Sequence, residues 1–138
     1  MDTIFTKIIK REIPAYIIYE DDLVMAFLDI SQTTKGHTLV ITKNEYKDIF
    51  EVPSDVFMHL FKIVQKVSFA VRKAFNPIGL NLLNNNHEIA GQTVFHYHVH
   101  IIPRYIKDDI TIKLPNHMND VSKDEFELIK EKIIAELS

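Results

Sequence analysis

Residues 96 to 100 read His96-Tyr97-His98-Val99-His100, and Ile101-Ile102-Pro103-Arg104 follow. Three of the chain's seven histidines thus stand at every second position inside an apolar run. On a β-strand, side chains alternate between faces. His96, His98 and His100 would therefore share one face, and Phe95, Tyr97, Val99 and Ile101 the other. Neighbouring imidazoles would lie about 6.6 Å apart along the strand. All three can change charge near neutral pH. Burial of the opposite, apolar face would keep the row rigid.

Three chemistries suit such a row. The blandest is structural, with each ring hydrogen-bonded in a core. Burying three imidazoles without partners costs several kcal/mol, about 1–3 for each, so partners must be built for them. The second is a metal site. Histidines two apart on a strand can ligate one ion, and His37, Asp29 or Glu88 could complete the shell of a zinc, iron or manganese. No further ligand spacing, such as His-x-x-x-His, accompanies them. The third is phosphoryl chemistry. Neutral imidazole is a good nucleophile towards phosphorus, and a charged imidazole is a good donor to phosphate oxygens. The segment Ala90-Gly91-Gln92-Thr93 leads into the row. It offers lightly covered backbone N–H groups, an amide and a hydroxyl, the parts of an electrostatic clamp on phosphorus. No Walker loop is present.

The rest of the chain bounds these readings. Its 138 residues suit one domain with a proper core. The net charge of −3, with no basic block, does not suggest binding to a nucleic-acid backbone. The chain has no cysteine, which removes thiolate sites and catalytic thiols and agrees with a reducing compartment. No secretory pattern opens the sequence and no apolar run is long enough to span a bilayer, so a cytoplasmic location and no membrane partner are expected.

Periodicity supplies the elements that would position the row. Ile4, Phe5, Ile8 and Ile9 form a short helical stripe before Pro14. Ile17 to Glu20, Val24 to Leu28 and His37 to Thr42 predict three strands. Ser54, as N-cap, opens a long helix carrying Val56, Leu60, Val64, Val67 and Val71, which Asn76-Pro77 ends. Gly79 to Leu83 and Val94 to Pro103 predict the fourth and fifth strands. Ser122 and Glu125 form a capping box for a last helix reaching about Leu137. Lys107 to Asn119 is irregular. The fold class expected is α+β: an antiparallel sheet packed on one face by the helices.

The stretch Gly91-Gln92-Thr93-Val94-Phe95-His96-Tyr97-His98-Val99-His100-Ile101-Ile102 closely resembles the signature of the histidine-triad (HIT) family. The likeness continues through Ile4-Phe5-Thr6-Lys7-Ile8-Ile9, Ile13-Pro14-Ala15, Tyr19-Glu20-Asp21-Asp22, Ala26-Phe27-Leu28-Asp29-Ile30 and Gly36-His37-Thr38-Leu39-Val40-Ile41. It resembles the bacterial Hint-like branch over about residues 3–104. It implies one HIT domain over 1–138, with a helical tail from about residue 105. The implied fold is a five-stranded antiparallel sheet with the long and C-terminal helices packed on it, joined to a second sheet in a homodimer.

The resemblance also implies a metal-free reaction: hydrolysis or transfer at the α-phosphate of purine nucleotide conjugates through a nucleotidyl-histidine. His98 matches the nucleophile, His96 the residue that orients it, and His100 a donor to the α-phosphate. His37 backs the row. Gln92 and Thr93 resemble contacts to phosphate and leaving group, and Asp29 resembles the acceptor for both ribose hydroxyls, a role suited to an acceptor-only carboxylate. Phe5, Ile8, Phe27, Leu28 and Ile30 resemble the purine pocket; Ile8 and Leu28 could equally be plain core. Asn85 and Gly91 match loop positions near ribose and phosphate. Diadenosine polyphosphate hydrolysis, as in the Fhit branch, and a non-catalytic purine-nucleotide-binding regulator are the alternatives. Two departures stand out. Many bacterial relatives carry Cys-x-x-Cys and a histidine for structural zinc, where this chain has Thr3, Thr6 and Asn44; hydroxyls are poor zinc ligands, so no structural zinc is expected. The tail from residue 105 does not match the Hint C-terminus, leaving the leaving group open.

Overall fold

The computed structural model describes residues 2–137. Met1 and Ser138, the two ends of the expected 1–138 domain, lie outside the described residues. Helix α1 (Ile4–Ile9) begins where Thr3 and Thr6 form a reciprocal capping box, and it buries Phe5 and Ile8. Strands β1 (Ile17–Glu20) and β2 (Val24–Leu28) form a hairpin. The Asp21 side chain closes its turn by accepting from the backbone N–H groups of Leu23 and Val24 at 2.8 and 2.9 Å. Strand β3 (Thr38–Thr42) pairs with β2. Helix α2 (Ser54–Phe75) follows, then β4 (Gly79–Leu83) and β5 (His98–Arg104). The sheet is five-stranded and antiparallel in the order β1-β2-β3-β5-β4.

The sheet is covered on both faces, not one. Val24 and Ala26 of β2, Val40 of β3, and Val99 and Ile101 of β5 pack with Tyr97 under Leu60, Ile63, Val64 and Val67 of α2. The alternate residues Met25, Phe27, Leu39 and Ile41 pack beneath Phe5 and Ile8 of α1. Double coverage explains the near-continuous apolar runs of β2 and β3. By the same parity, His98 and His100 face α1.

Four expectations are corrected. The fifth strand starts at His98 rather than Val94, because Tyr97 donates its N–H to Tyr46 rather than to the ladder and Gln92 takes up the Val94 carbonyl. Phe95 is consequently turned out and exposed. Pro53, not Ser54, is the N-cap of α2, and it makes no side-chain bond. The C-terminal helix α3 (Lys123–Ala135) has the expected Ser122–Glu125 capping box, but every described residue of it is exposed, so it does not pack on the sheet of its own chain. No helix among the described residues is long and apolar enough to cross a membrane.

Gly36 makes the turn into β3. Its φ is +98°, and an added Cβ would sit 3.2 Å from Phe75 Cδ2 and 3.3 Å from Pro103 Cγ. Gly36→Ala is expected to lower stability by about 1–2 kcal/mol, read as a lower urea midpoint with unchanged m-value.

Candidate active site

Register aligns the site. His98 lies opposite Ile41, and His100 lies between Leu39 on β3 and Leu83 on β4. The α1 face of the sheet and the underside of α1 enclose a cleft of about 260 Å³. Of the residues expected in the site, it gathers Phe5, Ile8, Phe27, Leu28, Asp29, Ile30, Gly91, Thr93, His98 and His100. Phe5 and Phe27 meet edge to face, with centroids 5.6 Å apart. Ile30 stands at the mouth and is largely exposed.

His98 is buried, and its Nδ1 lies 2.6 Å from the His96 carbonyl. A carbonyl only accepts, so Nδ1 carries the hydrogen and Nε2 keeps a lone pair. His37 has the reverse arrangement. Its Nδ1 accepts from the Thr33 N–H at 3.3 Å, so its Nε2 carries hydrogen and donates to His100 Nδ1 at 2.9 Å. His100 Nδ1 is then the acceptor, and its Nε2 carries an N–H. The two cleft rings thus hold opposite tautomers: a base on His98, a donor on His100. Burial pushes His37, His96 and His98 below the usual histidine pKa. Burial, with His98 and His37 close by, pushes His100 down to about 4. All four rings are therefore neutral near pH 7.

His96 precedes the strand and is fully buried. Its Nε2 donates to the Thr42 carbonyl at 2.6 Å, and its Nδ1 lies 3.2 Å from the Thr3 hydroxyl. Asn84 donates to the His98 carbonyl at 2.9 Å, bracing the nucleophile candidate's backbone. Neither Thr3 nor Asn84 was expected to touch the row; both contacts depend on loops brought together only by folding.

Asp29 follows β2 directly and faces His37, with Oδ2 3.6 Å from Nε2. Burial would raise its carboxyl, but hydrogen bonds from the Ser31 hydroxyl and N–H, with His37 and His100 nearby, bring it below the ordinary carboxylate value. One side chain ties this corner together. The Gln32 amide donates to the carbonyls of Asp29 and His37, both at 2.7 Å, and accepts from Gly36 N–H at 2.9 Å.

Gln92 is placed differently from a phosphate ligand. It is buried, donates to the carbonyls of Lys47 and Val94, and accepts from His87 N–H at 2.7 Å. Its amide holds the loop rather than facing the cleft. Asn85 likewise braces the loop, donating to the Gly91 carbonyl at 3.3 Å. Gly91, at φ +96°, passes so close that a Cβ would meet the Asn85 amide at 3.3 Å. Thr93 and Val94 stand between the cleft and a second one lined by Asp2, Glu45, Lys47 and Phe95.

Among the described residues, Asp29, His37 and His100 bring three ligand atoms within 4.8 Å of one another. An ion there would need the His37 Nε2 lone pair. That requires moving its hydrogen to Nδ1, where it would meet the Thr33 N–H. The hydrogen-bonded arrangement is therefore the better fit. The Thr3, Thr6 and Asn44 positions do not fit zinc either. The two hydroxyls bond each other at 3.2 Å, and the Asn44 amide lies 3.4 Å from the Tyr46 hydroxyl.

Comparison with known proteins agrees with this geometry. The model of the HIT domain matches residues 10–107. The Bacillus subtilis protein named Protein hit is 48% identical over 136 residues, covering 98% of this chain and 94% of its own length. The adenosine 5′-monophosphoramidase hnt1 of Schizosaccharomyces pombe is 42% identical over 104 residues, covering 75% of each chain. A crystal structure of a HIT family member from Bacillus subtilis superposes with a TM-score of 0.95 at 47% identity, over 100% of this chain and 99% of that one. A match across the whole sheet and both flanking helices, with this much shared sequence, means that the chain belongs to the HIT family.

Proposed function

We propose that this protein is a nucleotide hydrolase acting at the α-phosphorus of purine nucleoside phosphoramidates and related adenylyl adducts, through a nucleotidyl intermediate on His98. The opposed tautomers of His98 and His100 carry the reading. Attack needs an unprotonated nitrogen, and the phosphoryl oxygens need an adjacent donor. The hydrogen-bond network provides both on neighbouring rings. The relative named as a monophosphoramidase supports the substrate class.

In this mechanism the purine enters between Phe5, Phe27 and the aliphatic wall, and the ribose hydroxyls donate to Asp29. His98 Nε2 attacks phosphorus in line. The Nε2–P bond forms as the P–N bond to the amine breaks, and the His98 ring becomes cationic. Its Nδ1–H, already directed at the His96 carbonyl, stabilises that charge. His100 Nε2–H and backbone N–H groups near Thr93 stabilise the equatorial oxygens. The Thr93 hydroxyl gives its proton to the departing amine and takes one back from a water in the second cleft, on whose side the amine leaves. Water then breaks the Nε2–P bond and releases the nucleoside monophosphate.

The proposal includes catalysis without structural zinc, a cytoplasmic location and a homodimer. Exposed Phe126, Ile129 and Ile133 form a stripe on α3 that its own chain leaves uncovered. The TM-score of 0.95 over the whole chain supports the same outlying placement of this tail in the Bacillus subtilis crystal structure. A second copy is the occupant we favour for that stripe. Phe126→Glu with Ile133→Glu is expected to shift the sedimentation coefficient from dimer to monomer; a wild-type monomer removes this part of the proposal.

His98→Ala is expected to cut adenosine phosphoramidate turnover by about 10³-fold or more. Near-normal rates would end the proposal. Faster cleavage of diadenosine polyphosphates under identical conditions would move it to that substrate class. Because protonation quenches His98 and burial depresses its pKa, kcat/KM is expected to stay flat on acidification to about pH 6.5 and to fall only below it. An inflection at or above the ordinary histidine value would contradict the neutral-nucleophile assignment.

A further inference from the structure

The ring of His96 touches neither the cleft nor a substrate position, yet both its nitrogens have partners. Nε2 must carry hydrogen to reach the Thr42 carbonyl. Nδ1 is therefore a lone pair, and the Thr3 hydroxyl, 3.2 Å away, must be the donor. The Thr3 oxygen also accepts the Thr6 N–H at 3.2 Å, closing the first turn of α1. Its hydrogen being committed to His96, the Thr6 hydroxyl donates in the 3.2 Å contact between the two threonines. One side chain thus acts in two ways: as an acceptor it caps α1, and as a donor it fixes a buried imidazole 93 residues along the chain.

Two routes lead from there to His98. The His96 carbonyl is the acceptor that keeps the hydrogen on His98 Nδ1. Phe5, in the turn that Thr3 caps, lies edge-on against both rings, with centroids 5.7 Å from His96 and 5.0 Å from His98. Loss of the hydroxyl would leave His96 Nδ1 as a buried acceptor without a donor. The ring would turn or change tautomer, disturbing the Phe5 ring packed against both His96 and His98 and loosening the anchor on the peptide whose carbonyl holds His98 Nδ1–H.

We propose that Thr3 is a positioning residue for the nucleophile: its hydroxyl anchors His96, and through the His96 carbonyl and the Phe5 ring it sets the tautomer and aim of His98. This rests on the reading of His98 as nucleophile.

Three substitutions separate donation from capping. Thr3→Asp keeps a good helix cap but cannot donate when ionised. Thr3→Val loses both functions, and Thr3→Ser restores both. Imidazole ¹⁵N shifts report which nitrogen of His96 and His98 carries hydrogen; urea midpoints report the cap; kcat and KM report the reaction. Thr3→Asp is expected to keep a near-normal urea midpoint, to change the His96 and His98 ¹⁵N patterns, and to lower kcat about tenfold to a hundredfold with little change in KM. Thr3→Ser is expected to recover the activity and ¹⁵N pattern that Thr3→Val loses. Unchanged His98 shifts and kcat in Thr3→Asp would overturn the proposal. So would losses across all three variants that merely follow their stability. Should Thr3→Val not fold, the other two decide. If the wild-type protein does not cleave the phosphoramidate, the functional reading fails instead, and the ¹⁵N patterns still judge Thr3.

Discussion

The site turns on a bond of two residues' span: His98 Nδ1–H to the carbonyl of His96. A neutral imidazole has one hydrogen and two nitrogens, and the choice between them decides whether the ring can attack. In water the two tautomers exchange freely. Here a backbone carbonyl at 2.6 Å removes the choice, and burial keeps a second proton away. The carbonyl can be there because the chain bends at residues 94–96 before entering β5, instead of running straight as an ideal alternating strand.

The two-sided core explains why such a bond stays in place. The peptide units that carry the row are anchored from below by Tyr97, Val99 and Ile101 under α2, and from above by Phe5 against the rings. A backbone clamped on both faces has little freedom to rotate its carbonyls. The same enclosure lowers every histidine pKa in the cluster, because a charged ring would have to surrender its water. Rigidity and neutrality share one cause, the dry apolar packing of β3 and β5.

Much of this was legible in the residues. Every strand and helix appears near its expected place, and the alternation at His98 to His100 does put both rings on one face. The family resemblance also grouped Phe5, Ile8 and Phe27, and the three do pack in one cluster. The errors share a pattern. Alternation cannot say where a ladder stops, because the competing partner of Tyr97 is the Tyr46 carbonyl, distant in sequence. Residue type suggests what Gln92 can do but not that its amide is consumed by Lys47, Val94 and His87. Thr3 reads as a lost metal ligand, and its donation to His96 exists only once α1 lies across the sheet. The amphipathic stripe of α3 is plain in sequence, whereas the surface it would meet is not encoded within one chain's contacts.

Gln32, outside the cleft, couples two of the residues that line or back it. By grasping the carbonyls of both Asp29 and His37, it makes the acid just after β2 and the imidazole just before β3 parts of a single stiff corner. His37 in turn grips His100. In the proposed reaction, where Asp29 would meet the ribose and His100 the phosphate, a carboxylate and a ring set on such a frame would act like the jaws of a calliper locked at one opening. On that proposal, ligands would be sorted by the span between hydroxyl pair and phosphorus, a length common to all nucleoside 5′-phosphates, while whatever hangs beyond the phosphorus would go unmeasured.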